Sequence, residues 1–168
     1  ANVHRPLTNC GPTTKGVAEL ENWLGDGKWD VIHFNWGLHD LKYMGPQGQN
    51  LADPKKKDSH QQVAIDAYRT NLQKLVARLK KTKAKLIWRT TTPVPKDCKG
   101  RVVGDSAKYN AVAKKIMDEN NIAIDDHYTF CMDKLDRIQL PANVHFSASG
   151  SKELAKQAVT SIQKALGK

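Results

Sequence analysis

Helical and strand patterns alternate along the chain, and this alternation predicts an α/β fold in which a parallel sheet is covered by helices on both faces. Two further observations agree. Apolar runs such as Asp30-Val31-Ile32-His33-Phe34 and Lys85-Leu86-Ile87-Trp88-Arg89-Thr90 have the length of buried strands. The longer stretches between them repeat apolar residues at three- and four-residue spacing. The 168 residues, 39% hydrophobic and 26% charged, make a single domain, 1–168, large enough to bury a core.

In chain order, Ala1 to Arg5 reads as a strand or the tail of one. Thr14 to Leu24 follows as a helix, with Val17, Leu20 and Leu24 on its inner side and Gly25 as its C-terminal stop. The strand Asp30 to Phe34 comes next. Gly45 to His60 is polar, and its Gly, Pro, Gln and Lys content suits either the wall of a site or a mobile excursion. Gln61 to Lys81 is the clearest helix, because Ile65, Tyr68, Leu72, Leu75, Val76 and Leu79 fall on one face.

A strand over Lys85 to Thr90 ends at Thr91-Thr92-Pro93-Val94-Pro95, where two prolines remove ladder donors and open a loop. Asp105 is placed to cap a helix over Ser106 to Glu119, which buries Tyr109, Val112, Ala113 and Ile116. Ile122 to Ile124 is a short strand, and helical turns follow over Tyr128 to Leu135. Pro141 and Asn143 keep Ile138 to His145 irregular. The last helix, Ser149 to Leu166, turns Leu154, Ala158, Ile162 and Ala165 inward.

No apolar run approaches the roughly 20 residues that span a bilayer, so no membrane partner is expected. Cys10, Cys98 and Cys131 are too irregularly spaced for a zinc cluster and too few for a disulfide framework, and neither cofactor nor metal is expected. Lys and Arg outnumber Asp and Glu by 27 to 17, a net charge of +10 that attracts polyanions. The sequence has no helix-turn-helix, zinc finger or aromatic ribonucleoprotein motif, so nucleic acid is not the expected partner. The excess reads as a solvated surface, with acidic polysaccharide as the sharper alternative.

The chemistry concentrates in three short segments. Gly37-Leu38-His39-Asp40 directly follows a strand, and the loop leaving a strand's carboxyl end faces the ligand crevice of an α/β sheet. Gly37 allows close backbone approach and a neutral His39 offers an N–H, so both suit a developing oxyanion, with Asp40 fixing the turn or the tautomer of His39. Gly11, in Asn9-Cys10-Gly11-Pro12, precedes a helix and offers either an anion-binding N–H or a simple turn. His145, in Asn143-Val144-His145-Phe146, precedes the last helix and is the candidate general base.

Together these segments resemble the SGNH/GDSL hydrolase superfamily, and especially its bacterial carbohydrate-esterase-like branch, over nearly the whole chain. Gly11 matches the family's oxyanion glycine, Gly37-Leu38-His39-Asp40 its Gly-x-Asn-Asp block with His in place of Asn, and His145 the base of its Asp-x-x-His block. The resemblance implies a three-layer α/β/α sandwich around a parallel, flavodoxin-like sheet of order 2-1-3-4-5. It also implies a serine esterase that works through an acyl-enzyme and removes acetyl or another small acyl group from a small-molecule or polysaccharide ester.

Two departures stand out. Ala142 occupies the position of the acid that orients the base, so a backbone carbonyl nearby, Asn143, Asp126, Asp133 or Asp136 has to substitute, and a carbonyl or Asn143 is favoured. No Gly-Asp-Ser block exists, and Ser59, Ser106, Ser147, Ser149, Ser151 and Ser161 all lie in other contexts. The resemblance therefore implies that the chain starts at the family's second strand. The first strand and its nucleophilic serine would lie upstream of residue 1, and an N-terminal segment or a strand from another chain would fill the gap. The contrasting expectation is an inactive homologue or a non-catalytic module that binds glycan or nucleic acid.

Overall fold

A computed structural model describes residues 2–168. Three strands, β1 (Val31–Phe34), β4 (Lys85–Arg89) and β5 (Ala123–Asp125), form a parallel sheet in the order β1-β4-β5. The register pairs Phe34 with Trp88 and Trp88 with Ile124. Alternation along each strand sends Phe34, Trp88 and Ile124 to one face, where they join the main core. His33, Ile87 and Asp125 point the other way.

Helices cover both faces. α1 (Thr13–Leu24), α2 (Ile65–Lys80) and α3 (Asp105–Glu119) pack side by side in one layer. The periodic residues Tyr68, Leu72, Leu75, Val76 and Leu79 of α2 are buried there, as the sequence predicts. α6 (Ala148–Leu166) crosses the opposite face against all three strands, and Gln157 on it donates to Asp125 Oδ1 at 2.9 Å. The fold is the expected α/β sandwich, and β1-β4-β5 is the consecutive parallel run expected for one side of such a sheet.

Several local expectations are corrected. Residues 2–12 hold no strand, so the strand expected over Ala1 to Arg5 is not found among the described residues; Pro6 and Pro12 bound a segment of bends instead. Val17 is 42% exposed, while the inner face of α1 runs through Thr13, Gly16, Leu20 and Leu24. The reason is Trp36: a Cβ on Gly16 would lie 2.9 Å from its indole, so the ring seats on the glycine. Gln61 does not begin α2, because β3 (His60–Gln61) pairs antiparallel with β2 (Tyr43–Met44) and closes the polar excursion at its base.

Gly104, not Asp105, holds the N-cap position of α3. Asp105 is buried and accepts from Gln61 Nε2 at 3.2 Å and Lys108 Nζ at 2.9 Å. Two short helices, α4 (His127–Met132) and α5 (Leu135–Ile138), precede a loop closed by the Gln139 and Phe146 bridge. Ser147 then caps α6 by accepting from the Gly150 N–H at 3.0 Å.

Only one edge of β1 is paired among the described residues, the one facing β4. Along its other edge runs an apolar groove of about 240 Å³, lined by Leu20, Trp23, Leu24, Trp29, Ile32 and Phe34 among others.

Candidate active site

Four loops at the carboxyl end of the sheet meet around an open cleft of about 620 Å³. The turn after β1 contributes Asn35 to His39, the segment before α1 contributes Asn9 to Gly11, the loop between β4 and α3 contributes Cys98, Lys99 and Arg101, and the loop before α6 contributes Ala142 to His145. Asn50 and Leu51 line it too, so the polar excursion is a wall of the cleft. Five of the expected site residues, Gly11, Gly37, His39, Asn143 and His145, thus share one cavity although they span the chain.

The turn after β1 is held from behind. A Cβ on Gly37 would sit 2.1 Å from Thr91 Oγ1, which itself donates to the Trp36 carbonyl at 3.1 Å. Thr91 is fixed in turn by Asn110 of α3, which accepts from the Thr91 N–H and donates to its carbonyl, both at 2.8 Å. The threonine after β4 and the asparagine on α3 therefore set the path of the glycine turn.

Asp40 lies outside the cleft and is fully buried. Its Oδ1 accepts from the Thr13 N–H at 2.7 Å and from Thr13 Oγ1 at 2.5 Å, which ties the start of α1 to the turn. Of the two tasks expected of Asp40, these bonds are of the kind that holds the turn, and no bond to His39 is formed among the described residues. Burial raises its carboxyl to about 6, opposed by the Thr13 bonds.

His39 is half-buried. Desolvation lowers its pKa, and Lys42, Arg101, Lys15 and His145 push in the same direction. The imidazole is accordingly neutral at neutral pH and keeps one ring N–H to donate.

Gly11 has φ +62°, a conformation that favours glycine, but its N–H donates to Asn9 Oδ1 at 2.8 Å. The N–H expected to be free is therefore occupied. It becomes available to a ligand only when the Asn9 amide swings aside.

His145 is exposed at the rim. Asn143 Oδ1 lies 3.0 Å from its backbone nitrogen and 2.7 Å from Nδ1. An amide oxygen only accepts, so this contact places the proton on Nδ1 and leaves Nε2 with a free lone pair. Ala142, at the position where the resemblance calls for an acid, adopts φ +51° and turns the chain so that Asn143 folds back on the histidine.

Sequence reasoning missed Asn9, Asn35, Lys42, Lys99 and Arg101 in the cleft, and Thr13 and Asn110 behind it. Among the described residues no serine lines the cavity. Cys10 does, but burial raises its thiol pKa despite Lys15 and Arg5 nearby, so it is held in the weakly nucleophilic protonated form.

The α/β sandwich thus brings a glycine turn, a neutral imidazole and an amide-fixed second imidazole onto one cleft at the carboxyl end of its sheet, where an α/β enzyme keeps its chemistry. The chain belongs to the GDSL-like lipase/acylhydrolase family, whose model matches residues 4–152. No curated protein matches it. Among solved structures, an acetyl xylan esterase is similar with a TM-score of 0.71 at 14% identity, over 92% of this chain and 78% of that one. A lipase/acylhydrolase from Enterococcus faecalis gives a TM-score of 0.68 at 17% identity, over 91% and 71%. The acetylxylan esterase Axe2 from Geobacillus stearothermophilus gives 0.68 at 21% identity, over 94% and 68%. These likenesses establish the fold.

Proposed function

We propose that the cleft hydrolyses small acyl esters of carbohydrate through an acyl-enzyme, with the serine delivered on a parallel strand laid along the open edge of β1. The observation that carries this reading is the joint lining of one cavity by His39, Gly11 and an Asn143-fixed His145. The groove beside β1 supports the source of the serine, because groove and cleft share Cys10, Asn35 and Trp36. A strand filling the groove would therefore end at the cleft. A segment of the same polypeptide preceding Ala1 is the proposed occupant.

In this mechanism His145 Nε2 takes the serine proton as the hydroxyl attacks the ester carbonyl, and Asn143 steadies the imidazolium that forms. The His39 N–H, and the Gly11 N–H once Asn9 moves aside, stabilise the tetrahedral oxyanion, roughly 3 to 4 kcal/mol for a good donor. His145 then returns its proton to the leaving alcohol and activates water. Acetyl on a sugar is the favoured substrate because two of the similar structures are acetyl xylan esterases.

In the full-length protein, His145→Ala should lower turnover of a small acetate ester by about 10³-fold or more. Undiminished turnover would remove His145 from the mechanism. Intact mass and N-terminal sequencing of the native protein test the serine's source. A second reading, a non-catalytic polyanion binder, is favoured by the cations that line the cleft. Binding of a sulfated glycan that weakens steeply with salt, without any ester turnover, would support it instead.

A further inference from the structure

The cleft that holds the proposed ester site contains Lys42, Lys99 and Arg101 and, among the described residues, neither an aspartate nor a glutamate. None of the three cations takes part in a salt bridge among the described residues. This differs from the solvated lysines elsewhere on the surface, since Lys42 and Arg101 are both partly buried.

The pair is assembled by backbone structure. Tyr43 N–H donates to the Gly100 carbonyl at 2.8 Å, which joins the loop after β1 to the loop after β4 at the residues next to Lys42 and Arg101. Gly100, with φ +62°, packs so closely that a Cβ would meet Leu51 Cα at 2.4 Å. Arg101 Nε donates to the Leu38 carbonyl at 3.1 Å, which aims the guanidinium from the residue preceding His39, and the Cys98 side chain also accepts from Arg101. Burial lowers the Lys42 pKa and Arg101 lowers it further, and burial likewise lowers that of Arg101, with Cys98 opposing. Like charges held together in a partly desolvated wall repel, and an anion between them relieves that repulsion.

Resting on the ester-hydrolase reading above, we propose that Lys42 and Arg101 form an anion subsite beside His39. They select an ester whose sugar carries a carboxylate or sulfate near the acyl group. The guanidinium fork matches either anion in two-point contact, and the ammonium supplies a second, less directional charge. Lys99, exposed at the rim, adds attraction without fixing orientation.

The test compares acetylated methyl galacturonoside, acetylated and sulfated methyl galactoside, and acetylated methyl galactoside as the neutral reference, all with full-length protein. The expected result is a kcat/KM at least about tenfold higher for an anionic ester than for the neutral one, an advantage that shrinks as salt rises. The two anionic arms identify the preferred group. Lys42→Gln and Arg101→Gln should each narrow the ratio, and Arg101→Lys should restore it only in part; thermal melting checks that the variants fold. Good turnover of all three esters with equal kcat/KM overturns the subsite and leaves the esterase reading standing. Turnover of none overturns the esterase reading. The subsite is then judged by calorimetry with galacturonate and sulfated galactose oligosaccharides, where binding weakened by Lys42→Gln upholds it and no binding overturns it.

Discussion

Asn143 Oδ1 receives both the backbone N–H of His145, at 3.0 Å, and its ring Nδ1–H, at 2.7 Å. On the proposed mechanism this amide would do for the imidazole what a carboxylate does in a Ser-His-Asp arrangement, fixing tautomer and ring orientation without a full negative charge. Asn143→Ala should lower kcat on an acetate ester by about 10- to 100-fold with little change in melting temperature, because both residues are exposed. Asn143→Asp should retain activity. A loss of stability equal to the loss of rate would mean the contact only holds the loop.

Gly37→Ala tests the turn. The added methyl has to displace Thr91 Oγ1, which would lie only 2.1 Å from it and is pinned to Trp36, while Asn110 holds the Thr91 backbone. A loss of about 1 to 3 kcal/mol in denaturant unfolding is expected, with a larger fall in activity than the residual folding would explain. Wild-type stability in this variant would show that the turn relaxes freely.

Asp40 makes stability depend on pH in an uncommon direction. Its folded pKa is raised to about 6, so the folded protein holds this proton more tightly than the unfolded chain does. The contribution is complete below about pH 4 and is lost as pH rises through about 6, up to about 3 kcal/mol. Asp40→Asn should remove that slope. The difference between wild-type and variant unfolding free energies, measured from pH 4 to 7, reads it directly, and a flat difference would contradict it.

Asp125 behaves in the opposite sense. Burial pushes its carboxyl up, but bonds from His127, His33 and Gln157 outweigh burial and hold it well below the ordinary carboxylate range. Its stabilising share is present above about pH 4 and lost in acid. His33 and His127 each place Nε2 2.9 Å from the same Oδ2, so Asp125→Ala strands two imidazoles and an amide at the junction of sheet and α6. A loss of about 3 kcal/mol or more is expected by chemical denaturation. Unchanged stability would show that water replaces the carboxylate.

The parts of this fold that were legible in the sequence are those fixed by local periodicity. α2 declares itself because five residues at helical spacing are all buried, and β1 and β4 because apolar runs of strand length have few other uses. Val17 misled, since only the distant Trp36 makes Gly16 the inward residue. The two imidazoles and the glycine turn were legible as candidates, and the structure brings them to one cleft. Lys42 and Arg101 were not, because the Tyr43 to Gly100 bond that unites them spans unrelated segments. The occupied Gly11 N–H was hidden for another reason: an asparagine two residues earlier closes on it only once the turn has formed.

The edge of β1 left unpaired among the described residues also bears on how the protein behaves in concentrated solution. A bare row of backbone donors and acceptors beside apolar side chains is a template on which another chain can add a strand. On the reading proposed above, the strand laid along this edge would guard against self-association as well as carry the serine. Protein in which that edge stays open should oligomerise with concentration, opposed by repulsion from its net charge of +10.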